Sequence, residues 1–547
     1  MAAFSFNASP LMNATQIILA RACEPAIRAR TAILFAATGK PLVRISYAEF
    51  TGLVNRAAQA LVTLGVGRGE RVLLLMHDSP LYAATILAVM QVGAVAVPLN
   101  TKLAAEDYAF IVSDAKPNLL LADDIFANLV TDVRGCRVLF TQGDTDFGTE
   151  YGAERKHGFT ESFTSAVSRA SAQAPNLPAT AQTSADDPAF WLYSSGTTGR
   201  PKAVIHSHRN AAHSSKLLRE VVHACEQTVV FATSKLFFAF ALDNGFFGVI
   251  KAGATLVLNQ AWAEPETVLQ QAEEARPTVF LTVPTLFRRL LALPPAKLAV
   301  FKTIPWYFTG GERLPDVLAA KWKEVTGHDL LVCYGMSETF CNALSMRPEA
   351  VRLGSCGTPL DGVETRLLSR EGEPATPSEP GEPGEPGVLW LKHPSLALRY
   401  LHDEPTAKAF DNGWFCTNDQ FRVDAEGFWF HEGRADDLLK IAGQWVKPNA
   451  VEEAALIPMV REAACVVVPD ADGMERLALY VVPNGPELND RNVTGALRPT
   501  LAAALPAHSL PKWIRTVEEL PRTPTGKVQR FKLKARLLEE LVAPPAA

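Results

Sequence analysis

Tyr193-Ser194-Ser195-Gly196-Thr197-Thr198-Gly199-Arg200-Pro201-Lys202 is the stretch on which the reading of this chain turns. An apolar run, Ala189–Leu192, leads into it, so a strand feeds a polar loop. Gly196 and Gly199 let main-chain N–H groups close on an anion. The hydroxyls of Ser194, Ser195, Thr197 and Thr198 add donors, and Lys202 closes the run with a cation. That composition suits a triphosphate. It is not the G-x-x-x-x-G-K-[ST] loop, because the two glycines are too close and no Ser or Thr follows Lys202. The competing reading of such a loop is an ordinary polar turn.

Outward from this loop the chain alternates between strands and helices. RVLLLM from Arg71, LYAATILAVMQVG ending at Gly93, and AVAVPL up to Leu99 read as strand, helix, strand, with Gly93 as the helix stop. Similar alternation recurs near Asn118–Ala122, Phe231–Val257, Thr278–Leu291 and Leu330–Tyr334. It predicts α/β layers with largely parallel strands. Glu371–Gly387, EGEPATPSEPGEPGEPG, holds too much Pro and Gly for a helix or central strand and reads as a surface loop between β-segments. GVLWLKH and GFWFHEG after it alternate like antiparallel strands. The composition changes again at Gly433–Lys447. Beyond it come VREAACVVV, read as a helix-to-strand passage, a LALYVV strand and a basic tail, enough for a small α+β domain.

Composition sets limits. The 547 residues, 48% hydrophobic and 20% charged, predict more than one domain and exclude wholesale disorder. A net charge of −5 is a poor basis for nucleic-acid binding, so any anion must be held by a local site. The eight cysteines include no C-x-x-C pair, and scattered thiols suit a reducing cytosol. The N-terminus lacks the basic stretch of a signal peptide, and Leu81–Asn100 is interrupted by Gln91, Gly93 and Pro98, so a cytoplasmic protein without a membrane span is expected. His206, His208 and His213 invite a metal reading, but their spacing is not a zinc pattern and they read as structural.

The loop and five further motifs, in this order, resemble the adenylate-forming superfamily of acyl-CoA synthetases, luciferases and peptide-synthetase adenylation domains. Tyr193–Lys202 resembles its phosphate loop and Gly310-Gly311-Glu312 its adenine-side loop. Tyr334-Gly335-Met336-Ser337-Glu338 resembles Y-G-x-[ST]-E, and Trp414–Asp419 resembles W-x-x-T-G-D. Gly433–Glu452 resembles the hinge motif and Pro521–Lys527 the C-terminal lysine motif. The resemblance runs from about Thr31 to about Arg536. It implies a large N-terminal domain, 1–435, of layered α/β subdomains with a β-rich part, and a small mobile α+β lid, 436–547.

The resemblance also implies roles. Ser194–Gly199 and Lys202 hold the phosphates of ATP, with Thr198 among the catalytic groups. Gly310–Glu312 and Tyr334–Ser337 form the adenine side, where the Tyr334 ring offers a stacking face. Glu338 offers a hard oxygen for Mg²⁺. Asp419 suits a ribose diol and Arg434 is a permanent cation near the nucleotide. Lys527, a point charge on a Pro/Gly-rich loop, stabilises the phosphate as a carboxylate attacks it. Asp436 is the hinge about which the small domain turns between half-reactions, and Gly443 approaches the pantetheine channel. The sequence departs from the family at Asn418, where Gly is usual and Asn is the next best residue for positive φ, and at Ala450, where Glu is common.

The acyl pocket is expected beside Lys235–Gly248, KLFFAFALDNGFFG, with Phe238, Ala239, Phe240, Asp243, Gly310, Gly335 and Cys341 lining it and Asn342 nearby. Ala239 cannot hold a substrate ammonium as an Asp would, which argues against amino acids. The run looks most like benzoate-CoA ligases, from which Phe240, Ala241 and Asp243 depart. An aromatic carboxylic acid is thus the expected substrate and free CoA the expected thiol. Short or medium aliphatic acids, a separate carrier protein as acceptor, and a catalytically dead nucleotide-binding regulator are the alternatives. The context of Lys527 also resembles the one that bacterial protein acetyltransferases modify. A monomer or homodimer is expected.

Overall fold

The computed structural model describes residues 11–131, 133–141, 162–173, 180–195, 201–369, 372–375, 384–435, 439–441, 444–446, 448–470, 474–485, 490–522 and 528–542. The chain forms two compact units. One comprises Met1–Thr365, Leu391–Cys416 and Gly427–Trp429; the other comprises Arg366–Trp390, Thr417–Glu426 and Phe430–Ala547. The second unit thus includes β-segments that precede the expected boundary after Ala435.

The first unit holds two mixed sheets. Among the described residues, one has the spatial order Thr358–Pro359, Leu344–Ser345, Leu331–Tyr334, Trp306–Thr309, Val279–Thr282, Val229–Ala232, Thr255–Asn259, Thr31–Ala36, Val43–Ser46. Its six strands from Leu331–Tyr334 to Thr31–Ala36 run parallel. The other has the order Arg399–Tyr400, Pro201–Ser207, Pro188–Ser195, Val95–Pro98, Arg71–Leu75, Leu119–Asp123, Arg137–Thr141. Here too the strands from Pro188–Ser195 to Arg137–Thr141 are parallel. The α/β class and parallel strands follow the sequence pattern.

The strand–helix–strand reading around Gly93 is met closely. Ser79 caps the helix Pro80–Gln91, whose residues are all buried, and Gly93 at φ +78° turns the chain into Val95–Pro98. A helix apolar all round needs packing on every side, and this one is a core element.

In the second unit, Val460–Pro469, Glu475–Pro483 and Trp513–Thr516 form a three-stranded sheet. Leu477, Leu479 and Val481 face a core with Val451, Val493, Leu497 and Leu501, while Ala478, Tyr480 and Val482 face Leu533 and Leu537. The period-two alternation thus buries helices on both faces. Here the sequence reading needs correction. VREAACVVV is strand throughout, because it pairs along its length with Glu475–Pro483, and that distant partner overrides the helical leaning of Glu462-Ala463-Ala464. The Pro/Gly/Glu stretch does lie between strands Glu364–Leu368 and Gly387–Lys392. No described helix is long and apolar enough to cross a membrane.

Candidate active site

Parallel strands deliver ligands to the crevice beyond their carboxyl ends. In the larger sheet, four adjacent strands end at Ala232, Thr282, Thr309 and Tyr334. The segments that follow three of them are the sequence-predicted ones: Lys235–Gly248, Gly310–Glu312 and Gly335–Glu338.

The glycines there are dictated by backbone proximity. A Cβ on Gly310 would lie 2.7 Å from the Cys333 carbonyl oxygen, and one on Gly335 would lie 3.0 Å from that of Cys341. Thr285 Oγ1 donates to Glu312 Oε2 at 2.7 Å, tying the Gly310–Glu312 loop to the helix Pro284–Leu291 that follows the strand ending at Thr282. Met336 N donates to Thr339 Oγ1 at 3.0 Å, and the Ser337 carbonyl lies 2.8 Å from His206 Nε2. His206 is buried and stacks on Phe190, with ring centroids 4.7 Å apart. Burial lowers its pKa to about 4, so the ring is neutral near pH 7. His208 Nδ1 accepts from Ala14 N at 3.1 Å. These two histidines are therefore engaged with backbone.

Glu338 is buried, and its Oε1 accepts from Tyr400 Oη at 2.7 Å. The Ala397 N–H donates to its carbonyl at 2.8 Å. One carboxylate oxygen is thus fixed by a phenol. Lys202 Nζ lies 5.9 Å from the centre of that same Tyr400 ring. The cation that closes the candidate phosphate loop and the candidate Mg²⁺ acid therefore meet at one tyrosine, which the sequence motifs do not single out. The loop's stem is a hairpin, Ser194 opposite Lys202 and Ser195 opposite Pro201. Gly196, Thr197, Thr198 and Gly199 lie outside the described residues, as do Asp436, Gly443 and Lys527.

In the second unit, Asn418 has φ +58°, the conformation for which Asn substitutes for Gly. The twist lets Asp419 N donate to Thr417 Oγ1 at 3.0 Å and holds the carboxylate buried. Asp419 Oδ1 lies 3.3 Å from Arg434 Nη1 and 3.6 Å from His431 Nε2. His431 is a neighbour of this carboxylate that the motif did not flag.

The candidate acyl segment, Lys235–Gly248, begins with a buried clamp. Lys235 Nζ donates to the carbonyls of Asn259 (2.6 Å), Gln260 (3.2 Å) and Ala261. Asp78, 4.0 Å from that ammonium, accepts from Leu236 N. Burial pushes the Asp78 carboxyl up to about 6 despite Lys235. Of the five phenylalanines, Phe237, Phe246 and Phe247 are core, whereas Phe238 and Phe240, with Ala239, are half-buried. Ala241–Phe247 form a π-helical turn, a rare form that is frequent at functional sites. Gly245 and Gly248 allow it to lie close, since a Cβ on either would come within 2.6 Å of Ala232 or Ser215.

Cys341 is fully buried, its thiol donating to Ser395 Oγ at 3.0 Å. Asp243 is fully buried as well, with its carboxyl pushed up to about 7 by desolvation. A raised acid costs stability as pH rises: the unfolded chain ionises first, so folding weakens between about pH 4 and pH 7 and the loss then levels off. Asp243→Asn should therefore gain on the parent with rising pH, by roughly 5 °C in Tm between pH 5 and pH 8. Thermal melts across that range check it; a Tm difference independent of pH would mean the carboxyl is not held protonated.

Residues 23–401 match the AMP-binding enzyme family and residues 450–527 match the AMP-binding enzyme C-terminal domain. The chain belongs to the AMP-binding enzyme family. This AMP-binding enzyme is 37% identical over 495 residues to a 3-hydroxybenzoate–CoA ligase of Aromatoleum sp. (strain CIB), covering 90% of this chain and 92% of that one. It is 32% identical to a benzoate–CoA ligase of Thauera aromatica, over 90% of each. Among solved structures, it is similar to the anthranilate CoA ligase AuaEII in complex with anthranoyl-AMP, at 29% identity and TM-score 0.83, covering 97% of this chain and 99% of that one. A benzoate CoA ligase from Burkholderia xenovorans LB400 aligns with TM-score 0.82 at 29% identity, over 96% of this chain and all (100%) of that one.

Proposed function

We propose that this enzyme activates an aromatic carboxylic acid, benzoate or a substituted benzoate, with ATP and transfers the acyl group to CoA. The observation that carries the reading is the half-buried Phe238, Ala239 and Phe240 on a segment at the carboxyl end of the same parallel sheet that presents Gly310–Glu312 and Tyr334–Glu338. An apolar, ring-lined site without a cation or acid at Ala239 suits an aryl group. The aryl-acid ligases among the relatives support it.

In the first step a carboxylate oxygen bonds to the α-phosphorus and the bond to the β-phosphate oxygen breaks, giving acyl-AMP and pyrophosphate. In the second the CoA sulfur bonds to the carbonyl carbon and AMP leaves. Both reactants of the first step are anions, so positioning and charge neutralisation carry the catalysis. The residue roles are part of the proposal. Tyr334 stacks on adenine, Asp419 accepts from the ribose hydroxyls beside Arg434, and the phosphate loop with Lys202 holds the phosphates. Glu338 fits a magnesium site: it is a hard oxygen donor with one oxygen fixed by Tyr400, and the ion would neutralise phosphate charge there. Gly443 borders the thiol's path.

We place the functional division at Asp436, between 1–435 and 436–547. Asp436→Pro fixes φ near −65° and traps one domain arrangement. One half-reaction should then fall at least about tenfold more than the other. Single-turnover assays of each, on a folded variant, read this out; unchanged turnover removes the hinge assignment. The function itself is tested by a panel of aromatic and aliphatic acids with ATP and CoA, read by AMP formation. AMP formed with benzoates above aliphatic acids supports the reading, AMP formed chiefly with aliphatic acids overturns the substrate class, and none with any acid overturns the enzyme.

A further inference from the structure

The π-helical turn Ala241–Phe247 carries a carboxyl that the fold leaves half satisfied. Asp243 Oδ1 accepts from Ser215 N at 2.6 Å, while Oδ2 is buried with no hydrogen-bond partner. The donors around it are committed elsewhere. The Cys341 thiol also approaches the same carboxyl and partly offsets the rise in its pKa, but the hydrogen bond it completes is to Ser395 Oγ at 3.0 Å. Lys251 Nζ donates to the carbonyls of Ala212 (2.6 Å) and Ser214 (3.0 Å), and Lys216 Nζ to that of Asp361. A buried acceptor without a donor destabilises the fold, and such an exception calls for a reason.

The position supplies one. Asp243 comes three and four residues after the half-buried Phe240 and Ala239, one turn along the acyl segment. Cys341, its neighbour, stands three residues beyond Glu338 on the loop after the next but two strand of the sheet. The carboxyl therefore lies between the two loops that bracket the aryl site. An apolar residue at 243 would serve a bare ring and would bury no half-satisfied carboxyl, at the cost of the Ser215 N–H, which would lose its acceptor.

We propose that Asp243 is a specificity-determining residue whose free oxygen accepts a hydrogen bond from a ring hydroxyl, so that the acid activated is a hydroxybenzoate in preference to benzoate. This rests on the aryl-acid reading above. Burial raises the carboxyl to about 7, so near neutral pH it is only partly ionised and a weaker partner for an ammonium than an ordinary carboxylate, while still able to accept from a phenol. A site that hydrogen-bonds a substrate hydroxyl rejects the analogue lacking it far more strongly than an apolar pocket rejects an added hydroxyl.

The test compares kcat/KM for 3-hydroxybenzoate, 4-hydroxybenzoate, benzoate and 3-methoxybenzoate in the parent, Asp243→Asn and Asp243→Leu. The parent should favour one hydroxybenzoate over benzoate by about tenfold or more, and the methyl ether, which cannot donate, should fall to or below benzoate. Asp243→Leu should abolish the preference, chiefly through KM, and raise kcat/KM for benzoate. Asp243→Asn, which keeps an acceptor, should retain part of it. A parent that prefers benzoate overturns the proposal, and the parent comparison stands even if the variants fail to fold. Parallel losses on all acids in folded variants also overturn it, since they would mark Asp243 as structural. If instead aliphatic acids exceed every aromatic one, the aryl reading itself has failed, and the panel shows which.

Discussion

Lys527→Ala should abolish acyl-AMP formation, a fall of about a thousandfold or more, and leave conversion of supplied aroyl-AMP and CoA to the thioester largely intact. The lysine closes Pro521-Arg522-Thr523-Pro524-Thr525-Gly526-Lys527, whose composition is rich in Pro and Gly. The base of that loop is pinned. Arg522 bridges Val528, Gln529 N donates to the Pro521 carbonyl at 2.7 Å, and Arg522 Nη2 reaches Glu462 Oε2 at 2.5 Å. A lysine's point charge can act in a step where negative charge gathers on phosphorus and be dispensable where a thiol attacks a carbonyl. Rapid-quench assays of pyrophosphate release and of thioester formation from supplied adenylate separate the two. Equal loss in both half-reactions would sink the assignment. The same lysine is proposed as a target for a protein acetyltransferase, since acetylation removes the charge as alanine does. Peptide mass spectrometry after incubation with acetyl-CoA and such an enzyme, with an adenylation assay, tests it. Full acetylation with adenylation intact would defeat both roles.

Glu338→Gln should cost adenylation about a hundredfold at ordinary Mg²⁺ concentrations and shift its Mg²⁺ dependence to higher concentration. The substitution isolates charge. Glutamine keeps an oxygen for Tyr400 Oη, whose 2.7 Å bond holds the present side chain, and it keeps the buried shape. It loses the anionic oxygen that a hard cation prefers. Tyr400→Phe removes the anchor and keeps the charge, so its loss should be smaller. Titrating Mg²⁺ against initial rates of pyrophosphate release distinguishes them, and an unshifted Mg²⁺ midpoint in Glu338→Gln would remove the metal role.

What could be read from the chain was what is local. The glycines and hydroxyls of Ser194–Gly199, the Gly93 helix stop and the α/β alternation are written in neighbouring residues, and positive φ at Asn418 was to be expected because it stands where the family usually has Gly. What escaped depends on partners far along the chain. Tyr400 meets Glu338 across 62 positions, and the Lys235 ammonium is fixed by carbonyls some two dozen residues on. The strand Val460–Pro469 is decided by its pairing and not by its own propensity. Asp243 was visible as a departure from a familiar run, but that half its carboxyl is unsatisfied emerges only when Ser215, Cys341, Lys251 and Lys216 are in place.

The clamp at Lys235 has a consequence for how the pocket can change. The acyl segment is fastened at one end by an ammonium on three carbonyls and at the other by Gly248 against Ser215. Between these fixed ends, the half-buried Phe238, Ala239 and Phe240 can be exchanged without touching the frame, whereas Asp243 also holds the Ser215 N–H. Selectivity can drift by single substitutions there while the apparatus for phosphate chemistry on the neighbouring loops stays as it is. A lineage inheriting this scaffold can try new ring substituents one residue at a time, and each trial leaves the ATP chemistry running.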